Sequence, residues 1–194
     1  EAYTAGYLGK NIMGSGFTDL DAVLTREQGG TRIGGLIRGI LLDPEHRELG
    51  HRSEALLNAA DRAQLMAEVV GPAIDSGRHV VSDRSVYSTL AYQGYGRGLP
   101  LDELRSVNDW AINGRWPDLA VLIVVEPSTL DERMRARVKD RFELESIEFH
   151  NRVRGGFAAM AAADPRRWAV VDGNADPDTV FSRLRSTVRE RLGV

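Results

Sequence analysis

The segment Ser82–Gly98, with the sequence SDRSVYSTLAYQGYGRG, carries the densest set of groups that could bind a phosphorylated ligand. Asp83 could hold a magnesium ion through water, and Arg84 could pair with a phosphate through two parallel hydrogen bonds. Hydroxyl and amide groups suited to sugar or base contacts follow at Ser88, Tyr92 and Gln93. The alternative is a polar loop in which Asp83 and Arg84 pair with each other. The density of polar and ring groups favours a binding site.

Two shorter segments could contribute to the same chemistry. Thr25–Thr31 reads TREQGGT, in which two glycines let the backbone pass close to a ligand and Arg26 offers a planar fork for phosphate. Asn58 and Arg62 are four residues apart and share one helix face, flanked by alanines that would let a ligand approach closely. Taken alone, these two patterns are equally typical of a plain turn with a surface ion pair and of a solvated helix face.

A run of cations forms a basic patch in a chain whose formal net charge is −3. Its members are Arg133, Arg135, Arg137, Lys139 and Arg141. Such a run is usually a solvated helix face. The alternative is a lid that brings arginines onto phosphates, because phosphoryl transfer requires neutralisation of the charge on the moving group.

The elements that would position these residues alternate along the chain. Apolar, β-branched runs predict strands at Asp21–Thr25, His79–Asp83, Leu119–Val125 and Trp168–Val171. Helical periodicity and capping residues predict helices near Ile33–Leu41, over Ser53–Val70 (with Pro72 as its end or kink), Leu101–Asn113 and Phe142–Ala163, and from Ser128 and Pro177 onward. This alternation predicts an α/β fold, a three-layer sandwich with a mainly parallel central sheet. Ligands bind at the carboxyl ends of the strands in such sheets.

Composition narrows the class of protein further. A chain of 194 residues suits a single domain, and its net charge of −3 argues against a general nucleic-acid binder. The absence of cysteine excludes disulfides and cysteine metal sites and fits a reducing compartment. No apolar run approaches the roughly 20 residues of a membrane helix, and no signal-peptide pattern opens the chain. We therefore expect a cytoplasmic protein with no nucleic-acid or membrane partner.

Several motifs in one order resemble bacterial thymidylate kinases, members of the P-loop nucleoside monophosphate kinases. They are TREQGGT (Thr25–Thr31), LLNAADRAQ (Leu56–Gln64), SDRSVYSTLAYQGYGRG (Ser82–Gly98), WPDLAVLIVV (Trp116–Val125) and DRFE (Asp140–Glu143). The resemblance implies a P-loop NTPase-like fold, one kinase domain over residues 1–194 and a lid near residues 133–145. It also implies transfer of the γ-phosphoryl of ATP to dTMP, giving dTDP and ADP, with Mg²⁺, in a homodimer.

The same resemblance implies roles for individual residues. The residues that would bind dTMP are Arg26, Asn58, Arg62, Arg84, Ser88, Tyr92 and Gln93. Tyr92 would lie against the deoxyribose, where its bulk disfavours a 2′-hydroxyl, and Asp83 would help to place Mg²⁺. Arg84, together with the lid residues Arg137 and Arg141, would act on the transferring phosphoryl group.

The sequence departs from the family pattern at three positions within the quoted motifs. Gln28 stands where the family usually has proline, and Ser85 replaces an aromatic residue that often follows the Asp-Arg pair. Asn58 lies where the family often has a phenylalanine that stacks on thymine. An amide lacks that stacking area, so a kinase of another nucleoside monophosphate is an alternative.

The largest departure lies in TAGYLGKN, residues Thr4–Asn11. A P-loop reads G-x-x-x-x-G-K-[ST] after a buried strand, and this segment has threonine for the first glycine and asparagine for the final hydroxyl. The residues that bind ATP therefore stay unassigned. Either the first twenty residues represent the loop poorly and the gene product is an ordinary kinase, or the chain is a homologue that binds nucleotide and transfers phosphate weakly or not at all.

Overall fold

The computed structural model describes residues 22–126, 129 and 140–193. The strands in these ranges are β1 (Ala22–Arg26), β2 (His79–Asp83), β3 (Ala120–Val124) and β4 (Trp168–Asp172). The α-helices are α1 (Arg32–Leu42), α2 (His51–Leu65), α3 (Gly71–Asp75), α4 (Val86–Thr89), α5 (Leu101–Ala111), α6 (Ile147–Ala163) and α7 (Pro177–Leu192). Wider π-helical turns follow α2 at Met66–Val70 and α4 at Leu90–Gly96. None of the helices in the described ranges has the length and apolar character that crossing a bilayer needs.

The strands pair in parallel, as the alternation of strands and helices predicts. Strand β1 pairs with β2, with Ala22 opposite His79 and Arg26 opposite Asp83. Strand β3 pairs with β4, with Ala120 opposite Trp168. The α/β fold is thus confirmed, and the four strands lie within one or two residues of their predicted bounds. A single central sheet was expected, whereas the strands in the described ranges form two two-stranded sheets.

Capping residues explain where several helices begin. Thr31 caps α1 by accepting a hydrogen bond from the Gly34 N–H at 2.9 Å. Asp176 caps α7 by accepting from the Thr179 N–H at 3.0 Å, and Pro177 occupies the first turn. Both cap positions satisfy N–H groups that have no partner within the helix.

Three predicted helix limits were wrong, each for a local reason. Helix α2 begins at His51 and not at Ser53, because the extended Gly50 already accepts the Glu54 N–H through its carbonyl at 2.9 Å. The helix predicted from Phe142 begins only at Ile147, because the Asp140 carboxylate accepts the N–H groups of Phe142 and Glu143 and holds a turn there. Pro72 lies in the first turn of α3, so the helical path continues past it. Proline is tolerated there because the π-helical turn before it already interrupts the regular pattern of backbone hydrogen bonds, the Gly71 N–H donating to the Met66 carbonyl.

The main core lies where α6 packs against the π-helical turn Leu90–Gly96. The ring of Tyr92 is 7% exposed and makes edge contacts with Phe142, Phe149 and Phe157 at centroid distances of 5.6, 6.1 and 6.4 Å. Gly156 allows the close approach of Tyr95, since a Cβ on Gly156 would lie 2.5 Å from Cγ of that ring. The core therefore fixes the position of the segment that carries Tyr92 and Gln93.

Gly156→Ala is predicted to destabilise the protein by about 1–3 kcal/mol, because overpacking a well-filled core forces side chains from their rotamers. Gly155→Ala is the matched control: nothing lies within 4 Å of its hypothetical Cβ, and alanine is the better helix former. Urea denaturation measures both variants. Equal free energies of unfolding for the two would contradict the close packing of Tyr95 on α6.

Candidate active site

The carboxyl ends of β1 and β2 meet at the point where the sequence places its candidate phosphate ligands. Arg26 ends β1 directly opposite Asp83 at the end of β2, and the Glu27 N–H donates to the Asp83 carbonyl at 2.9 Å. The Arg26 side chain is exposed, whereas Asp83 and Arg84 are half-buried. The two segments that were singled out separately in the sequence therefore form one edge.

A third arginine, Arg38 of α1, joins this edge, and sequence reasoning missed it. Its Nη1 donates to the Gln28 carbonyl at 3.3 Å, and its methylene chain lies against Gly29. Burial lowers the pKa of Arg38, and the neighbouring Arg26 and Arg84 lower it further. The sequence does contain a signal for Arg38. Helix α1 begins directly after the two glycines of the loop, and Arg38 is a cation in the middle of its mostly apolar sequence.

Asp83 lies among these three cations. Burial is the largest effect on its carboxyl and raises the pKa of Asp83 above the ordinary value, against the opposing influence of Arg84, Arg26 and Arg38. Asp140 also acts on Arg38, so in the part of the chain that the structure describes three guanidinium groups lie near two carboxylates and positive charge remains in local excess. This arrangement can bind a phosphate dianion.

Arg84 adopts a backbone conformation that is unusual for a side chain with a Cβ. Its φ is 70°, in the left-handed region, and its guanidinium lies 5.3 Å from the centroid of the Tyr92 ring. Such conformations cost free energy and cluster at functional sites, where surrounding structure maintains them. The bend directs the residue after β2 towards the ring of Tyr92, which the phenylalanine core holds in place.

Arg62 lies beneath the loop after β1. Its Nη2 pairs with the Glu27 carboxylate at 2.6 Å, and its Nη1 donates to the Asn108 side-chain oxygen of α5. The Arg62 side chain is only 3% exposed. Arg62 therefore ties the TREQGGT loop to α2 and α5, and its predicted contact with dTMP stays a prediction.

Asp61 fastens the same loop from the neighbouring position of α2. Its Oδ1 accepts the Gly29 N–H at 3.0 Å, while its buried Oδ2 has no hydrogen-bond partner among the residues that the structure describes. Burial, the largest cause, raises the pKa of Asp61 above 3.8, and the nearby Glu27 carboxylate adds to this. A carboxylate with one unsatisfied oxygen is thus held at the base of the site.

Two of the positions that depart from the family pattern contact each other. The Gln28 Nε2 donates to Oδ1 of Asn58, and the Asn58 Nδ2 donates to the Glu54 carbonyl at 2.8 Å. Asn58 is 4% exposed, and the peptide bond between Glu27 and Gln28 is cis. The site therefore has a pair of amides where the family pattern predicts a proline and an aromatic ring.

The remaining predicted residues fall into three groups. Gln93 and Arg141 are buried and both donate to the carboxylate of Glu54, one helical turn before Asn58. Ser88 is half-buried in the first turns after Arg84, and its N–H donates to the Ser85 carbonyl at 2.9 Å. Arg137 and the segment TAGYLGKN lie outside the described residues. Across the part of the chain that the structure describes, no three His, Cys, Asp or Glu side chains form a metal cluster.

Enzymes that bind nucleotide phosphates typically have parallel α/β units with arginines at the ends of the strands. They also have glycines where backbone and side chains approach closely. Comparison with known proteins narrows this class. The family model described as thymidylate kinase matches residues 16–184. The chain therefore belongs to the thymidylate kinase family, whose solved members have the P-loop NTPase fold.

Individual relatives agree with this assignment. The chain is 44% identical over 177 residues to a thymidylate kinase of Oleidesulfovibrio alaskensis, covering 87% of this chain and 84% of the relative. It is 42% identical over 175 residues to a thymidylate kinase of Geobacillus thermodenitrificans, covering 89% and 78%. The crystal structure of thymidylate kinase from Ehrlichia chaffeensis superposes with a TM-score of 0.70 at 29% identity, covering 87% of this chain and 81% of that chain.

Asp61→Asn tests the burial of the Asp61 carboxylate. Because its folded pKa is raised, the stability that Asp61 contributes is full below the unfolded pKa and is lost as pH rises through the folded value. The asparagine variant should therefore gain stability relative to the wild type as pH rises from about 4 to 7. Urea denaturation across this range measures the difference.

Asp176→Asn is the control of opposite sign, because hydrogen bonds from Thr179 lower the pKa of Asp176. Its wild-type contribution is present above the unfolded pKa and is lost as pH falls through the lower folded value. The stability of this variant relative to the wild type should therefore fall as pH rises towards about 4 and stay level above about 5. A flat difference for Asp61→Asn, or the same slope for both variants, would contradict the assignment.

Proposed function

We propose that this protein transfers the γ-phosphoryl group of ATP to dTMP, giving dTDP and ADP. Family membership supports the reaction. The location of the phosphate-binding site is inferred from one observation: Arg26, Arg38 and Arg84 lie together at the ends of β1 and β2. Three cations around one half-buried carboxylate suit the dianionic phosphate of a nucleoside monophosphate. Nothing in the comparisons favours a homologue without catalysis or a different monophosphate.

The acceptor nucleotide is proposed to extend from this cluster towards the π-helical turn. Arg84 binds its phosphate, and Tyr92, beside the Arg84 guanidinium, lies against the deoxyribose. Ser88, Gln93 and Asn58 line the rest of the pocket. Arg26 and Arg38 hold the phosphate from the side of the glycine loop. A rigid ring at Tyr92 suits discrimination against a 2′-hydroxyl, because the three phenylalanines around it leave the ring little room to move.

A magnesium ion is proposed to accompany ATP, with Asp83 as the protein residue nearest to it. Magnesium is typically bound by one or two carboxylates together with substrate phosphates and water. Asp83, a half-buried carboxylate at the end of strand β2, supplies the type of oxygen ligand that this requires. When bound, the ion would neutralise charge on the phosphates during transfer.

The lid is proposed to span residues near 133–145, with Arg137 directed at the transferring phosphoryl group. Its last residues, 140–145, form a turn that packs on the core through Phe142. The pairing of Arg141 with the buried Glu54 favours a role in holding this end of the lid. The residues that bind the phosphates of ATP are left unassigned.

A coupled assay with ATP, Mg²⁺ and dTMP tests the reaction, and turnover is expected. Arg38→Ala and Arg84→Ala should each raise the KM for dTMP by about tenfold or more, because losing one charge-assisted phosphate bond costs about 1.5–3 kcal/mol. Arg105→Ala, on the exposed face of α5, is the matched control and should leave KM unchanged. An absence of turnover from a protein with a verified N-terminal sequence would refute the reaction, and wild-type KM in both variants would refute the phosphate site.

A homodimer is also proposed, with the exposed face of α2 in its interface. Leu56 is 58% exposed, and Ala60 is exposed one helical turn further along α2. Leu56→Asp should shift the mass from dimer to monomer in light scattering, because an interface core tolerates a buried charge poorly. Leu144→Asp changes an equally exposed leucine, at 57%, and should leave the mass unchanged. A monomeric wild type would rule out the dimer.

The cytoplasm is the proposed location, with ATP and dTMP as the partners. The absence of cysteine fits a reducing compartment, and the net charge of −3 gives no support to a nucleic-acid partner.

A further inference from the structure

Glu54 of α2 has no exposed surface, and its carboxylate accepts hydrogen bonds from side chains in two other parts of the chain. Its Oε1 accepts from the Gln93 Nε2 at 2.7 Å, and its Oε2 accepts from the Arg97 Nη2 at 3.0 Å and from the Arg141 Nη2 at 2.7 Å. Arg97 also pairs with Glu145 at 2.6 Å. We call Glu54, Gln93, Arg97 and Arg141 the Glu54 cluster.

The charge of Glu54 follows from these contacts. Burial favours its neutral form and is the largest single effect, but the hydrogen bonds from Arg97, Gln93 and Arg141 together lower the pKa of Glu54 below its ordinary value. Glu54 is therefore ionised at neutral pH. An ionised carboxylate has only acceptor atoms, so every group that faces it must donate.

This restriction determines how the side chain of Gln93 is oriented. A glutamine amide can normally rotate to present either its NH₂ group or its carbonyl oxygen to a neighbour. Opposite an anion, only the NH₂ group forms a hydrogen bond. The Gln93 amide is thus held with Nε2 towards Glu54, which directs its carbonyl oxygen away from that carboxylate.

We propose that Glu54 is a positioning residue that fixes the Gln93 amide with its oxygen towards the acceptor base, so that the site selects pyrimidines whose N3 carries a proton. Thymine and uracil present an N3–H donor to such an oxygen, whereas cytosine presents a bare N3 acceptor and is repelled. This proposal rests on the proposed function, because it takes Gln93 as part of the dTMP pocket.

The neighbouring contacts explain why the arrangement would be rigid. The two arginines of the Glu54 cluster provide the charge that keeps Glu54 ionised, and Arg141 is itself held by donating through Nε to the Leu41 carbonyl at 2.9 Å. The Arg97 guanidinium lies 4.7 Å from the centroid of the Phe149 ring. Rotation of the Gln93 amide would therefore place its oxygen against an anion that cannot move away.

Calorimetric titration with dTMP and with dCMP tests the proposal without requiring catalysis. The wild type should bind dTMP more tightly than dCMP. Glu54→Gln should lower the ratio of the two affinities by about tenfold, because a neutral amide can accept or donate and no longer fixes Gln93. Glu54→Asp retains the negative charge and should retain the ratio.

Two further variants keep the test decisive if Glu54→Gln does not fold, as judged by circular dichroism. Gln93→Met removes the amide without leaving a cation unpaired and should lower the ratio to a similar extent. Glu145→Gln removes the outer partner of Arg97, leaves the contact between Glu54 and Gln93 in place, and should keep the wild-type ratio.

The outcomes separate this proposal from the proposed function. A wild-type ratio in Gln93→Met, or in a folded Glu54→Gln, would overturn the positioning role while dTMP binding stands. Loss of the ratio in Glu145→Gln as well would assign the effect to general loosening of the fold and overturn the proposal. A wild type that binds neither nucleotide would refute the proposed function together with it.

Discussion

The buried carboxylate of Glu54 is the constraint on which the packing of α2, the π-helical turn and the turn at residues 140–145 depends. An ionised carboxylate without exposed surface costs several kcal/mol unless donors surround it. The donors come from Gln93 in the π-helical turn, from Arg97 directly after it and from Arg141 in the turn at residues 140–145. Helix α2, the π-helical turn and the turn at residues 140–145 are therefore fixed relative to one another by one charge that must be satisfied.

Like charges lie together at the ends of β1 and β2. The pKa of Arg38 is lowered by burial and by the neighbouring Arg26 and Arg84, and Asp83 lies among the three cations. An arrangement with more cations than anions is unfavourable by itself and becomes favourable when an anion binds. The Glu54 cluster has one carboxylate and two guanidinium groups, and Glu145, which pairs with Arg97, supplies the second negative charge that balances them. In the arginine cluster the cations outnumber the carboxylates beside them, which leaves positive charge that can attract an anionic ligand.

Much of the fold could be predicted because it depends on local patterns. The β-branched run that contains Ala120–Val124 and the cap-and-proline pair Asp176–Pro177 gave the correct element types and nearly the correct bounds. Errors arose where a side chain competed with the helix for backbone donors. Asp140 accepts the N–H groups of Phe142 and Glu143, and helical periodicity alone does not reveal that competition.

The sequence by itself determined the family, the α/β class and the candidate residues at the ends of the first two strands, because the order of motifs and the periodicity are properties of the chain. Only the tertiary structure decided how those residues are used. It added Arg38 to the phosphate cluster, paired Arg62 with Glu27, and placed Arg141 on Glu54. The physical reason is that the partner of a long charged side chain is chosen by packing between residues as far apart in sequence as 54 and 141.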